Sequence, residues 1–334
     1  MQAIQVVVIG AGSWGTTVAS LTARNAPTIL WARSALAADE INASHTNERY
    51  LPAAKLPTSL RATSDLEEAV TGADVVVMGV PSHGFRETLT KAAPYVRPWV
   101  PVVSLTKGLE QGSMLRMTEV IDEILPGRPT GVLTGPNLAR EIMAGQAAAT
   151  VLGMSDEVVA RALQKVFRTG LFRVYTNTDE VGCEIAGALK NIVAIGAGMA
   201  EGLGVGDNTR SAVMTRGLAE LSRLGCAMGG RAETFFGLAG MGDLLATCMS
   251  SQSRNRHVGE MLGRGESLDD IIDSMQMVAE GVKTSEVVLE LAARYDVSLP
   301  IFESIYSVVH GGAHPADAYR GLVRRPAGAE SEAD

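Results

Sequence analysis

The feature that most constrains the fold is a glycine-rich turn placed directly after an apolar run at the start of the chain. Residues 4–9 are rich in β-branched side chains, the sequence GAGSWG follows at residues 10–15, and a helix-length segment extends to Asn25. The order strand, glycine turn and helix is typical of the first unit of a parallel α/β sheet. We therefore expect the chain to begin with a strand–turn–helix–strand unit.

Each glycine of this turn has its own physical role if the turn binds a dinucleotide. Gly10 permits a tight turn, Gly12 lets the backbone approach a pyrophosphate, and Gly15 lets the helix pack closely on the strand. The helix N-terminus then presents N–H groups and the positive end of its dipole to the phosphates. A purely structural glycine turn is the alternative, and the position after an N-terminal strand favours dinucleotide binding.

The first half of the chain continues the alternation of apolar runs and helical segments. Buried strands are predicted at residues 28–31, 75–80, 100–105, 131–134 and 148–152. Residues 172–175 are predicted to form a last strand, which either ends the first domain or leads into the second. Ser64 and Glu67 have capping-box spacing, which predicts a crossover helix. This alternation predicts an α/β fold, a Rossmann-type doubly wound parallel sheet with helices on both faces.

The character of the sequence changes near residue 180, where the strand patterns end. Long helical patterns follow at residues 184–199, 211–224, 267–275, 283–295 and 301–309. We therefore expect a Rossmann-type domain at residues 1–180 and an all-α C-terminal domain at residues 181–325. Residues 326–334 offer no apolar anchor, and we expect this tail to be disordered.

Composition excludes several classes of function. The 334 residues are 46% hydrophobic, enough for a core in each domain, and the formal net charge is −8. Sequence-independent binding of nucleic acid needs a basic surface, which disfavours such a partner here. Three separated cysteines and the lack of a signal-peptide pattern predict a reducing, cytoplasmic location and no metal site. Residues 185–199 are too short to span a bilayer comfortably, and we interpret them as a buried helix.

The end of the second predicted strand bears on the kind of dinucleotide. A site for NAD usually has an acidic residue about 20 positions beyond the glycine turn, where it binds the ribose hydroxyls. Here Arg33 follows the strand and no carboxylate does. Because a guanidinium can pair with a 2′-phosphate, the sequence favours NADPH, with NADH also accepted. A solvated surface arginine is the alternative.

Three later strands end in loops that share an edge with the glycine turn if the sheet is parallel. These loops are residues 81–83 (PSH), 106–110 (TKGLE) and 135–137 (GPN). In open α/β sheets, ligands bind beyond the carboxyl ends of the strands. Lys107, a mobile cation followed by glycine, is therefore a candidate contact for a phosphate or a substrate hydroxyl, and a solvated turn lysine is the alternative.

Lys190 is the most informative residue of the second half. It lies inside an apolar, glycine-rich helical pattern, where a lysine costs free energy unless it is paired or used. Desolvation and nearby cations lower the pKa of a lysine toward the range of an acid–base catalyst. Hydride transfer to a ketone also needs a proton for the developing alkoxide, which a lysine can donate. The alternative is a lysine whose ammonium reaches the surface.

Two further segments, which we expect to be loops, carry polar groups between the predicted helices. Asp243 could orient Lys190 or bind a substrate hydroxyl. Residues 253–255 (SRN) offer a hydroxyl, a guanidinium and an amide, a set of donors that suits phosphate oxygens. We expect Arg256 to point elsewhere, and a loop that caps a helix is the alternative for this segment.

Together these motifs resemble those of the bacterial NAD(P)-dependent glycerol-3-phosphate dehydrogenases, over residues 6–322. The matching blocks are GAGSWG at 10–15, PSH at 81–83, TKGLE at 106–110, GPN at 135–137, LKN at 189–191, GD at 242–243, QSRNR at 252–256 and VAEG at 278–281. Several blocks in one order are far more specific than any single block. Asn137 stands where family members often have threonine or serine, and an amide can still donate a hydrogen bond.

The resemblance implies a complete set of site residues, with Lys190 as the proton donor and acceptor. It implies substrate contacts from Lys107, Gly135, Asn137, Lys190, Asp243, Ser253, Arg254 and Asn255. It implies cofactor contacts from Ser13, Trp14, Arg33, Tyr50, Lys107, Ala139, Arg254, Val278 and Glu280, in addition to the glycines Gly10, Gly12 and Gly15.

The implied activity is hydride transfer that interconverts sn-glycerol 3-phosphate and dihydroxyacetone phosphate. Family members supply glycerol 3-phosphate for phospholipid synthesis and are commonly homodimers, and we expect both here, with no nucleic-acid partner or membrane span. Two rival functions remain. A dehydrogenase of another hydroxy acid would not need the donors at residues 253–255, and a non-catalytic NADPH sensor would have no use for a buried Lys190.

Overall fold

The computed structural model describes residues 4–275 and 279–324, which form two compact units. The first unit extends to Glu110 and continues from Leu115 to Glu184. The second unit consists of Gln111–Met114 and the chain from Ile185 onward. The expected disordered tail at residues 326–334 lies outside the described residues.

Within the described residues, the first unit is built on an eight-stranded sheet. The strands are β1 (Val6–Ile9), β2 (Thr28–Trp31), β3 (Arg61–Thr63), β4 (Val75–Met78), β5 (Val102–Ser104), β6 (Thr130–Thr134), β7 (Ala148–Gly153) and β8 (Phe172–Asn177). Their order is β3-β2-β1-β4-β5-β6-β7-β8. β1 and β4 are buried along their whole length, which explains their continuous apolar sequences. The doubly wound sheet is confirmed.

The helices of the first unit connect these strands and cover the two faces of the sheet. They are α1 (Ser13–Thr22), α2 (Ala35–Ser44), α3 (Leu66–Val70), α4 (Ser82–Ala92) with a 3₁₀ turn at Ala93–Tyr95, α5 (Met117–Ile124), α6 (Ala139–Met143) and α7 (Glu157–Phe167). The predicted cap of α3 was wrong by one residue. Asp65, not Ser64, begins the helix, because its carboxylate accepts a hydrogen bond of 3.1 Å from the Glu68 N–H.

One strand pair departs from the predicted parallel arrangement. Neighbouring strands are parallel except β6 and β7, which are antiparallel. A parallel connection needs a crossover long enough to return the chain to the starting edge, usually a full helix. The connection from β6 to β7 contains only the five-residue α6, so β7 runs back in the opposite direction. The loops after β1, β4, β5 and β6 therefore share one edge of the sheet, as predicted.

The described residues of the second unit form helices joined by loops and contain no strand, as predicted. Its helices are α8 (Glu180–Gly202, which starts in the first unit), α9 (Asp207–Ala227), α10 (Ala232–Phe235), a π-helical turn (Leu238–Gly242), α11 (Asp243–Met249), α12 (Arg254–Gly263), α13 (Leu268–Ser274), α14 (Glu280–Tyr295), α15 (Pro300–Val309) and α16 (Pro315–Arg324). Among the described helices only α8 is long and apolar enough to cross a membrane, and 94% of its most apolar window is buried inside the structure. It is the buried helix that the sequence predicted.

Both segments that were expected to be loops belong to helices. Asp243 is the first residue of α11, and Ser253 caps α12. The glycines that suggested a loop before Asp243 instead permit close packing, because a Cβ on Gly240 would lie 2.1 Å from the Phe235 carbonyl oxygen. The alternative of a helix cap at residues 253–256 is confirmed.

Helices α8 and α12 cross so closely that only glycine fits at their contact. The glycines lie four residues apart on each helix, at Gly198 and Gly202 on α8 and at Gly259 and Gly263 on α12. A Cβ on Gly198 would lie 2.0 Å from the Arg256 carbonyl oxygen. A Cβ on Gly259 would lie 1.9 Å from the Ile195 carbonyl oxygen. The crossing holds the helix that carries Lys190 against the helix that begins with Arg254.

This crossing predicts that Gly259→Ala destabilises the protein. Alanine favours a helix over glycine by about 1 kcal/mol, but the added methyl group would push α12 away from α8, and such overpacking costs about 1–3 kcal/mol or more. We expect a net loss in the free energy of unfolding, measured by urea denaturation. Gly84→Ala is the control, because Gly84 also lies inside a helix and a Cβ there would meet only the Val80 side chain, at 3.4 Å. A more stable Gly259→Ala protein would contradict the close crossing.

Candidate active site

The glycine turn of the first unit has the geometry that its sequence predicts. Gly10 has a φ of +118°, and a Cβ on it would lie 2.5 Å from the carbonyl oxygen of Gly79, just beyond β4. A Cβ on Gly15 would lie 2.0 Å from the Gly10 carbonyl oxygen. At Gly12, by contrast, a Cβ would meet no atom within 4 Å, and this residue caps α1 without a side-chain hydrogen bond. The turn therefore leaves open space beside the N-terminus of α1, as a pyrophosphate site requires.

Polar groups next to the turn support the same assignment. The Ser13 hydroxyl donates a hydrogen bond of 2.8 Å to the Tyr50 carbonyl oxygen. The Trp14 ring packs against Phe172, with 6.2 Å between ring centroids. Its indole Nε1 is buried and has no partner among the described residues. Because a buried N–H without an acceptor costs free energy, this donor fits a site completed by a bound ligand.

Arg33 lies at the same edge of the sheet. The Gly10 N–H donates a hydrogen bond of 3.0 Å to the Trp31 carbonyl oxygen, which holds the end of β2 beside the glycine turn. Arg33 follows two residues later and is exposed. The pKa of the Glu87 carboxyl of α4 is lowered, mainly by the Lys91 ammonium and to a smaller extent by the positive charge of Arg33. The geometry places a cation where the adenosine end of a dinucleotide is expected.

The loops after β5 and β6 meet at this edge. The Lys107 ammonium donates a hydrogen bond of 2.9 Å to the Gly135 carbonyl oxygen. Gly135 has a φ of +135°, and a Cβ on it would lie 3.2 Å from the Cα of Thr150. A glycine is therefore needed at this position for both its backbone conformation and its close approach to β7. Lys107 is tied to the neighbouring loop and is not the solvated lysine of the alternative interpretation.

The atom of Asn137 that is available to a ligand is a hydrogen-bond acceptor, although the sequence predicted that this amide would donate. The Thr150 hydroxyl donates to the Thr134 carbonyl oxygen at 2.7 Å, so its oxygen accepts the bond of 3.0 Å from Asn137 Nδ2. The other amide atom, Asn137 Oδ1, is buried and has no partner in the described part of the chain. A ligand group that satisfies this oxygen must donate, as a hydroxyl or an amide does and a phosphate dianion does not. Ala139, next along the chain, is the first residue of α6.

In the second unit, Lys190 is buried and paired. Its residue is 4% exposed, and its ammonium lies 2.9 Å from Asp243 Oδ1. The same ammonium donates to the Thr247 hydroxyl oxygen, whose hydrogen goes to the Asp243 carbonyl oxygen at 2.7 Å. The interpretation of Lys190 as a surface lysine is wrong. The sequence suggested that cations lie near Lys190, but the charged group at this contact is the Asp243 carboxylate.

Thr247 was missed by sequence analysis, although a signal was available. It lies four residues after Asp243 on the same helix, so both side chains project toward Lys190. The next residue, Cys248, is also buried beside this pair. Burial raises the pKa of its thiol to about 12, against the opposing effect of the Lys190 ammonium. The thiol is therefore protonated and adds no charge beside Lys190.

The first turn of α12 is joined to α8 and α14. The Ser253 hydroxyl accepts a bond of 3.2 Å from the Arg256 N–H. Asn255 Oδ1 accepts a bond of 2.9 Å from the N–H of Gly281, near the start of α14. A Cβ on Gly281 would lie 2.7 Å from the carbonyl oxygen of Asn191. The three helix segments therefore meet next to Lys190.

The two arginines of α12 have different surroundings. Arg254 is exposed at the start of the helix; partial enclosure lowers the pKa of its guanidinium, and the Glu280 carboxylate opposes this shift. Arg256 is buried, donates 3.0 Å to the Ser250 carbonyl oxygen, and pairs with Glu201 and Glu260. The prediction that Arg256 points away from its neighbours is confirmed.

Two site candidates remain, Glu280 and Val278. Glu280 is the first residue of α14. Val278, a candidate cofactor contact, lies outside the described residues. Within the described ranges, no group of three or more His, Cys, Asp or Glu side chains could hold a metal ion.

The fold and these two sets of residues define a class of protein. A doubly wound sheet with an open glycine turn after its first strand is typical of dinucleotide-binding oxidoreductases, and here it is followed in the chain by a helical unit with a buried lysine–aspartate pair. Residues 5–160 match the family described as NAD-dependent glycerol-3-phosphate dehydrogenase N-terminus, and residues 179–320 match its C-terminus. The chain belongs to the NAD-dependent glycerol-3-phosphate dehydrogenase family.

Individual relatives agree with this assignment. The chain is 60% identical to a glycerol-3-phosphate dehydrogenase [NAD(P)+] of Sphingopyxis alaskensis, over 98% of both sequences. It is 55% identical to an enzyme of the same name from Mycobacterium tuberculosis, over 98% of this chain and 96% of that protein. Among solved structures, glycerol-3-phosphate dehydrogenase from Coxiella burnetii superimposes with a TM-score of 0.92 at 35% identity, covering 97% of this chain and 99% of the other.

The buried pair of Lys190 and Asp243 predicts that removing one charge destabilises the protein more than removing both. Asp243→Ala leaves the Lys190 ammonium buried without its carboxylate, which should cost about 3–5 kcal/mol in the free energy of unfolding. Adding Lys190→Met removes the uncompensated charge and should recover part of that loss. Urea denaturation at pH 7 of both proteins measures the difference. A double variant no more stable than Asp243→Ala alone would contradict the assignment of an ion pair.

Proposed function

We propose that this protein interconverts sn-glycerol 3-phosphate and dihydroxyacetone phosphate by hydride transfer with NADP(H). The observation that carries the proposal is the buried Lys190 ammonium, held by Asp243 and Thr247 in a chain of this family. When bound, a nicotinamide dinucleotide supplies or accepts the hydride. The protein's own residues have three tasks: they hold the cofactor, hold the substrate and move a proton.

The proton step belongs to Lys190. An ammonium has three hydrogens, and Asp243 and Thr247 take up two of them, so the orientation of Nζ is set before substrate binds. In reduction, the Lys190 ammonium would donate a proton to the C2 oxygen of the substrate and become a neutral amine. In oxidation, the neutral amine would accept the proton of the C2 hydroxyl. Asp243 stabilises the charged form of the lysine in both directions.

The substrate contacts divide according to hydrogen-bond chemistry. The first turn of α12, with Ser253, Arg254 and Asn255, combines a guanidinium with the positive end of a helix dipole, which suits the phosphate. Lys107 and the backbone at Gly135 supply further polar contacts. Asn137 Oδ1 is an acceptor and therefore suits a hydroxyl of the substrate rather than its phosphate.

The cofactor contacts lie mainly in the first unit. Gly10, Gly12 and Gly15 shape the turn, and the N-terminus of α1 would hold the cofactor pyrophosphate. Further contacts come from Ser13, Trp14, Arg33, Tyr50, Lys107 and Ala139, and from Arg254, Val278 and Glu280 of the second unit. We assign residues 1–180 to a dinucleotide-binding domain and residues 181–325 to a substrate-binding and catalytic domain. We further propose a cytoplasmic homodimer that supplies glycerol 3-phosphate for phospholipid synthesis.

The central test is the oxidation of NADPH by dihydroxyacetone phosphate, followed by absorbance, in the wild type and in Lys190→Ala. Loss of the proton donor should lower kcat by about 10²–10⁴-fold, while the Kd for NADPH stays within about twofold. Lys165→Ala, which changes an exposed lysine of α7, should leave both values unchanged. A nearly fully active Lys190→Ala protein would remove this residue from the mechanism.

The same assay separates the rival functions. A dehydrogenase of another hydroxy acid would turn over unphosphorylated 2-oxo acids as well as or better than dihydroxyacetone phosphate. A sensor would bind NADPH and turn over neither substrate. The buried ion pair around Lys190 favours the enzyme over the sensor, because a sensor gains nothing from an enclosed ammonium.

Arg33 predicts a preference for NADPH over NADH. A guanidinium that pairs with the 2′-phosphate strengthens NADPH binding and has no such group to contact on NADH. Arg33→Ala should therefore raise the KM for NADPH about tenfold or more and change the KM for NADH less than twofold. Arg24→Ala, beyond the opposite end of α1, is the control. Equal changes in both KM values would show that Arg33 does not read the 2′-phosphate.

A further inference from the structure

Asn47 is buried beside the glycine turn and belongs to none of the contacts assigned above. Its residue is 1% exposed, and its amide nitrogen donates to the Ala11 carbonyl oxygen at 3.0 Å and to the Thr16 hydroxyl oxygen at 2.9 Å. We propose that Asn47 is a positioning residue that fixes the direction in which the Gly12 N–H points toward the cofactor pyrophosphate. This inference rests on the proposed function of the first unit.

The two hydrogen bonds of Asn47 join the turn to the helix that follows it. An amide nitrogen has two hydrogens, and here one goes to the middle residue of the turn and the other to a residue in the first turns of α1. The Thr16 N–H in turn donates to the Gly12 carbonyl oxygen at 2.9 Å. One side chain therefore holds the turn and the helix N-terminus in a single arrangement.

The planarity of the peptide bond connects this contact to the ligand. The Ala11 carbonyl and the Gly12 N–H belong to one trans peptide unit, so they point in opposite directions. Because Asn47 binds the carbonyl oxygen, the Gly12 N–H points away from Asn47. Gly12 also lies where the turn faces open space, with no atom within 4 Å of the position of a Cβ. Glycines can change their backbone conformation at little cost, so this peptide needs an external contact to keep its orientation.

Asn47 is itself held in place from both sides. The N–H groups of Tyr50 and Leu51 donate to its carbonyl oxygen at 3.1 and 2.8 Å. Both neighbours of Asn47 in the chain are held by Glu40, whose Oε1 accepts bonds from the Thr46 hydroxyl at 2.9 Å and from the Glu48 N–H at 2.8 Å. The Tyr50 carbonyl oxygen accepts a hydrogen bond from the hydroxyl of Ser13, the first residue of α1. The segment from residue 46 to residue 51 is thus a fixed support for the glycine turn.

The test is binding of three ligands to the full-length wild type, Asn47→Ala and Asn47→Asp, with NADPH fluorescence as the readout and the other two ligands as competitors. NADPH and ADP-ribose contain the pyrophosphate, and adenosine 2′-monophosphate lacks it. We expect the Kd for NADPH and for ADP-ribose to rise about tenfold or more in both variants, which corresponds to at least about 1.4 kcal/mol. The Kd for adenosine 2′-monophosphate should change less than twofold, and kcat at saturating NADPH should stay within about twofold.

Asn25→Ala is a matched control. Its amide nitrogen also donates to two acceptors, the carbonyl oxygens of Val166 and Arg168 at 2.9 and 2.7 Å, but it lies beyond the far end of α1. Its loss should lower the thermal stability without changing any of the three Kd values. Equal effects of Asn25→Ala and Asn47→Ala on NADPH binding would show a general loss of stability and overturn the proposal.

Two other outcomes also decide the matter. Folded Asn47 variants that bind ADP-ribose as tightly as the wild type, or that lose all three ligands equally, would overturn the role in pyrophosphate binding. Failure of both variants to fold would assign Asn47 to folding and overturn a role confined to the ligand. If the wild type binds neither NADPH nor ADP-ribose, the proposed function fails instead, so the two failures are distinguishable.

Discussion

Burial of the Lys190 ammonium is the constraint on which the second unit depends. A charge removed from water needs an anion and a polar partner within hydrogen-bond distance, and α11 supplies both through Asp243 and Thr247. Helices α8 and α11 must therefore pack in one register. The π-helical turn immediately before Asp243 packs closely against the backbone of Phe235. This contact is possible because residue 240 is a glycine.

Glycine at points of backbone contact serves both units in the same way. In the first unit, Gly10, Gly15 and Gly79 bring the turn, α1 and the end of β4 together. In the second, Gly198 and Gly259 let α8 and α12 cross at backbone distance. In the first unit this contact places the N-terminus of α1 beside the open turn at Gly12, and in the second it places the first turn of α12 near the segment of α8 that carries the buried Lys190. Close packing of backbone, rather than bulky side chains, positions the binding groups.

Much of the fold follows from local pattern. A single sequence reveals most strands and the long helices through the spacing of their apolar residues, and it reveals the glycine turn through its glycines. The elements that were missed lack such signals. Strand β3 has only three residues at the sheet edge, and α10 and α11 have four and seven residues. Helices this short depend on packing rather than on propensity. Lys190 was recognisable as a candidate because a charge is unusual in an apolar helical pattern, whereas Asp243 was singled out in a segment that was expected to be a loop.

By itself, the sequence determined the order of most strands and helices, the edge of the sheet that the loops after β1, β4, β5 and β6 share, and the identity of the charged candidate residues. The tertiary structure decided which groups meet. It paired Lys190 with a carboxylate, turned the Asn137 amide so that its oxygen is available, reversed β7, and brought Asn47 to Ala11 across 36 positions of sequence. Periodicity records only neighbours along the chain, whereas hydrogen bonds and ion pairs form between groups that folding brings together from distant positions.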